Sequence, residues 1–134
     1  MRYRTPTKKS KYHIPREDYI TAVHWCLRYP LWIAELRTLA DTSKAITYDK
    51  DKVQTSSGYD ATADTAIRRV ELTKKVQLLE STAEKVDHDL KEYLILAVTQ
   101  GLTIYQLIQR GMPYDKNVFS DRRQKFYYEI SKKI

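Results

Sequence analysis

Apolar residues recur at three- and four-residue intervals along most of the chain, the spacing that gathers one face of an α-helix. The first such stretch opens at Ile14-Pro15. Pro15 suits a first-turn position, Glu17 and Asp18 complement the positive end of the helix dipole, and Tyr19, Ala22, Val23, Trp25 and Cys26 make a broad apolar face. Pro30 lacks an N–H and disfavours helix at Tyr29, which predicts a kink or break between Arg28 and Leu31. The pattern resumes through Trp32, Ile33, Leu36 and Leu39, so residues 14–40 read as one kinked helix.

Residues 41–60 turn polar and irregular. They read as a linker, with a short extended piece at Ala45 to Tyr48, and Asp60 caps the helix that follows. In that helix Leu72, Val76, Leu79, Ala83 and Val86 form a heptad-like seam, too short for a free-standing coiled coil. Packing against the first helix is the favoured use of the seam, with a homodimer through it left open. Arg68, Arg69, Lys74 and Lys75 alternate with Glu71, Glu80 and Glu84 on the outer side, as on ordinary solvated surface. Asp87 reads as the cap of a further helix, closed by Gly101, with Leu90, Tyr93, Leu94, Ala97 and Val98 as its stripe.

The last third holds a short helix, a break and a longer basic helix. Thr103 caps the short one, whose stripe is Ile104, Leu107 and Ile108. Gly111 ends it, Met112 is the buried residue of the turn, and Pro113 and Asp115 restart the helix. Phe119, Phe126, Tyr127, Ile130 and Ile134 share the core side of the final helix. Opposite them lie Asn117, Asp121, Gln124, Lys125, Tyr128 and Lys132, flanked by Ser120 and Arg122. With Lys116 at its start, this set offers amides for adenine edges and cations for guanine edges or phosphates, which suits a helix in the major groove of double-stranded DNA. A solvated charged helix has the same pattern. Asp121 can accept from a cytosine amine, orient Arg122, or meet the helix dipole.

Charge sharpens the picture. The net charge is +7, with +5 in residues 1–13, +4 in residues 101–134 and −1 in each of the two segments between. A near-neutral body with basic ends is what phosphate binding needs, because released counterions drive association. Residues 1–13 lack apolar periodicity and read as a disordered arm whose Arg2, Arg4, Lys8, Lys9 and Lys11 either follow a phosphate backbone or remain solvated.

Three glycines, four prolines and few alternating runs predict an all-α helical bundle, one compact domain whose residues 61–134 are helical and whose residues 88–134 form a tri-helical, helix-turn-helix unit. No phosphate loop, paired-cysteine ligand set, metal helix or nucleophile elbow occurs, so neither an enzyme nor a cofactor or metal site is expected. The lone Cys26 between Trp25 and Leu27 reads as an inert core thiol. Without a membrane-length apolar run or a leader, the expectation is a protein of a reducing cytoplasm that makes no membrane contact.

The run YHIPREDY, followed by Trp25 and LRYP, the polar insert, the helix opening DATADTAIRR and the closing NVFSDRRQKFYYEISKKI together resemble the small phage and prophage late transcriptional regulators of the RinA type. The resemblance spans residues 12–134. It implies an activator of packaging and morphogenesis genes, with a helix-turn-helix akin to the part of sigma factors that reads the upstream promoter element. It also implies Phe119, Phe126 and Tyr127 as core positions of the recognition helix, Ser120, Arg122 and Lys125 as residues approaching DNA, and host RNA polymerase as a partner. Two rivals share these features: a terminase-like DNA-packaging protein that forms a ring, and a helical interaction module or inhibitor that meets an acidic protein.

Overall fold

In the computed structural model, which describes residues 5–48, 61–113 and 115–134, Pro15 (φ −54°, ψ 146°) holds the chain extended just before α1 (Arg16–Leu27). Ile14 beside it is already buried. Arg28 is a single turn residue, and α2 (Tyr29–Tyr48) begins at once, with Pro30 in its first turn, where a missing N–H costs nothing. The expected kinked helix is therefore two helices. Edge-to-face packing of Trp25 on Trp32, with ring centres 4.7 Å apart, sets the corner between them.

The linker expectation needs correcting. α2 continues to Tyr48, so the first eight residues of the supposed polar linker are helical and no extended piece occurs at 45–48. Ser and Thr lower helix propensity only slightly, and a helix already nucleated and packed extends through them. The remaining linker residues, 49–60, and the proposed Asp60 cap lie outside the described residues.

Next come α3 (Ala61–Val86), α4 (Lys91–Gln100), α5 (Ile104–Gln109) and α6 (Lys116–Lys133). The described residues form six helices and no strand, in agreement with the all-α expectation. Most of the α3 seam is buried within the molecule: Leu72, Leu79, Ala83 and Val86 are covered by α2, α4 and α6, and Val76 is half-buried. Its charged side is more than solvated surface. Arg68 makes a two-pronged pair with Glu35 of α2, at 2.8 and 3.0 Å, Glu80 accepts from the Tyr29 hydroxyl, and Lys75 lies over the Trp32 ring. Burial of the Tyr29 ring, aided by that bond to Glu80, pushes the phenol up to about 12, while the Arg68 guanidinium holds the Glu35 carboxyl below its ordinary value.

Asp87 acts one turn earlier than expected. Its Oδ1 accepts from the Asp89 and Leu90 amides, ordering the turn 88–90, and α4 starts only at Lys91. Gly101 closes α4 with φ +68°, a conformation that side chains disfavour.

Downstream, the local expectations hold. Thr103 and Gln106 form a reciprocal capping box on α5, Gly111 turns with φ +103°, Met112 is buried, and Asp115 Oδ1 caps α6 through the Val118 amide. Phe119, Phe126, Tyr127 and Ile130 are buried as expected, each worth about 1.5 to 3 kcal/mol of transfer free energy. Ile134 is not buried. At the helix end it is 43% exposed. α6 packs chiefly on α1 and α3 and less on α4, whereas α5 packs on α4. The last helix is thus a central member of the bundle. Tyr19 seats edge-on against Tyr127, 5.3 Å between ring centres, which fixes α1 across it.

Candidate nucleic-acid interface

Position on α6 decides which polar residues reach solvent. Lys116 and Asn117, in the first turn, are exposed, as is Lys132 near the other end. Ser120, Asp121, Arg122, Gln124, Lys125 and Tyr128, along the middle, are all half-buried. The outer face expected to stand bare is partly covered, at Tyr128 by Tyr12 from the chain's beginning and at Arg122 by Asp87.

The arm is the largest correction. Residues 5–13 are not disordered over the bundle but folded into turns: the Ser10 amide donates to Thr7 O, the His13 amide to Ser10 O, and the Tyr12 amide to Ser10 Oγ. Pro6 is buried, and His13 Nδ1 meets the Pro6 carbonyl at 3.2 Å, a contact that requires the proton on Nδ1. Tyr12 then packs on Tyr128, 5.9 Å between ring centres. No periodicity in the sequence announces this, because the arm is held by turns and by the aromatic contact of Tyr12 with the last helix. Arg2 and Arg4 lie outside the described residues.

The contact brings the two basic ends together. Lys11 Nζ sits 5.0 Å from the Tyr12 ring centre and Lys132 Nζ 3.8 Å from that of Tyr128, so each tyrosine face carries a cation. Interaction with Tyr128 holds the Lys132 ammonium above the ordinary lysine value. Lys8, Lys9 and Lys133 are exposed on the same two segments. Chemically this is a cationic ridge on an aromatic footing, suited to phosphate oxygens.

Arg122 does different work from that expected of a free base reader. Its Nε donates to Asp87 Oδ2 at 3.2 Å and its Nη1 to Asp121 Oδ2 at 2.8 Å, so the guanidinium ties α6 to the turn after α3. Of the three roles open to Asp121, orienting Arg122 is the one this geometry displays.

The sequence reading passed over Tyr12, Tyr105 and Arg123. Tyr12 adjoins the basic arm and carried a weak signal. Arg123 falls on the core side of α6 by periodicity, where its guanidinium lies 5.8 Å from the Phe119 ring centre. Cys26 is fully buried, and burial pushes its thiol far up, away from reactivity. Among the described residues no three His, Cys, Asp or Glu side chains gather to hold a metal, and no helix is long and apolar enough to cross a membrane. No protein-family model, curated protein or solved structure matches the chain.

Proposed function

We propose that this chain binds double-stranded DNA as a non-enzymatic transcriptional regulator, the role implied by its resemblance to the RinA-type late regulators of phages. One observation carries the reading: the Tyr12–Tyr128 contact joins the basic arm to the basic last helix, so Lys11 over Tyr12 and Lys132 over Tyr128 come together on one surface. Convergent cations with exposed ammonium groups are what counterion release rewards.

In this reading α4, α5 and α6 serve as the helix-turn-helix unit, which the capped α5, the Gly111 turn and the capped start of α6 support. Because the middle of α6 is half-covered, its first turn approaches the bases, as the N-terminal residues of recognition helices do. Lys116 suits a guanine edge and Asn117 an adenine edge. Lys8, Lys9, Lys11, Lys125 and Lys132 hold phosphates, while Ser120, Gln124 and Tyr128 act at shorter reach beside the arm. Arg122 and Asp121 brace the helix.

So small an end spans few base pairs. A homodimer or a contact with host RNA polymerase, in the cytoplasm of a bacterial host, supplies the remaining specificity. The test is a salt titration of binding to random and genomic duplexes, followed by anisotropy. Affinity should fall linearly in log–log form with added salt, and a genomic fraction should bind more tightly than random duplex. Absence of association at low salt would sink the proposal.

A further inference from the structure

Between α5 and the first half of α6 runs an open groove of about 460 Å³, lined by Thr103, Ile104, Tyr105, Ile108, Lys116 and Arg123. Its size falls within the range of sites that hold one compact ligand group. Ile104 and Ile108, one turn apart on α5, form a half-buried floor, and Tyr105 beside them is 70% exposed. The opposite wall is cationic, from Lys116 and Arg123, and among the described residues no carboxylate lines the groove.

Arg123 and Tyr128 are five residues apart on α6, hence separated by about 140° around its axis. The groove therefore opens away from the face on which Tyr12 seats the arm. An apolar floor distinguishes it from the arm's phosphate-facing ridge as well. Duplex backbone has no apolar group large enough to use Ile104, Ile108 and Tyr105 together.

We infer that this groove is a docking site for an acidic protein segment that carries a large apolar anchor residue. The anchor packs on Ile104 and Ile108 under the Tyr105 ring, and flanking carboxylates meet Lys116 and Arg123. This goes beyond DNA binding and does not depend on it, although both readings use Lys116.

The test uses the full chain and two short fluorescein-labelled peptides, both glutamate-rich, one with a central Leu-Trp pair and one with Ser-Ser in its place. Anisotropy should give at least about fivefold tighter binding of the anchored peptide, since only its apolar surface can leave water in the groove. Tyr105→Ala, at an exposed position, should erase that preference without altering the far-ultraviolet circular dichroism or the affinity for random duplex. Lys116→Glu should weaken both peptides alike. Equal binding of the two peptides by the unsubstituted chain overturns the inference, as does a preference that survives Tyr105→Ala.

Discussion

Arg122 Nε donates to Asp87 Oδ2 at 3.2 Å, across the gap between α6 and the turn that follows α3. The other oxygen of Asp87 caps that turn through two amides, so a single carboxylate orders the entry to α4 and anchors the last helix. Asp87→Ala should lower stability by about 1 to 3 kcal/mol, the loss of a cap and a charge-assisted bond. Asp87→Asn, which keeps a capping oxygen, should cost less. Urea unfolding measures both, and equal losses would show that the cap contributes nothing.

Because Arg122 is held by two carboxylates, Arg122→Ala should act first on folding and only secondarily on duplex affinity. The contrast is with Lys116→Ala and Asn117→Ala at the exposed helix end, expected to cost about 1 to 3 kcal/mol in sequence-dependent affinity if they touch bases. Paired melting and anisotropy measurements separate the two. A larger affinity loss for Arg122→Ala than for Lys116→Ala, at unchanged melting temperature, contradicts this assignment.

The arm should be held by its aromatic contact. Tyr12→Ala removes the ring that seats on Tyr128, a contact worth about 0.5 to 1.5 kcal/mol beyond its burial. Trypsin should then cut after Lys8, Lys9 or Lys11 several times faster, with little change in melting temperature. Unchanged cleavage would mean that the turns alone keep the arm in place.

Replacing Lys8, Lys9 and Lys11 together by alanine should weaken binding to all duplexes alike. Each lost phosphate contact should flatten the log–log salt slope by about 0.9. A loss confined to particular sequences would point to minor-groove reading by the arm instead.

Two groups on the α2–α3 contact set opposite pH limits. Glu35, held below its ordinary value by the Arg68 hydrogen bond, contributes stability that is present above the unfolded carboxylate pKa and lost as pH falls through the lower folded one. Glu35→Gln should therefore destabilise at neutral pH and match the unsubstituted chain in strong acid. Tyr29 is raised to about 12, so its contribution is complete below the unfolded phenol pKa and is lost as pH rises from there through the folded value of about 12. Urea midpoints across both ranges, with Tyr29→Phe as the second variant, check the signs.

The local expectations that held share one cause. Thr103, Gly101, Gly111, Met112 and Asp115 act within a few residues of themselves, through a cap, a left-handed turn or a buried turn side chain, so their chemistry is complete in the local sequence. The buried faces of α1, α3, α4 and α6 are legible for a related reason: periodicity records which residues must leave water together. Even the break before Pro30 follows from one ring. The extent of α2 was missed because Ser, Thr and Asp report weak preference, which a packed helix overrides.

What the sequence by itself determined, then, is the helical class, most of the core and the segregation of positive charge to the two ends. Which residues stand free was decided only by tertiary structure. Periodicity gives the direction of a side chain from its own axis but not what arrives from elsewhere, and here Tyr12 arrives over Tyr128 and Asp87 over Arg122. Those two encounters, each between residues far apart in the chain, turn an expected bare reading face into a braced helix with an exposed end and a basic strap.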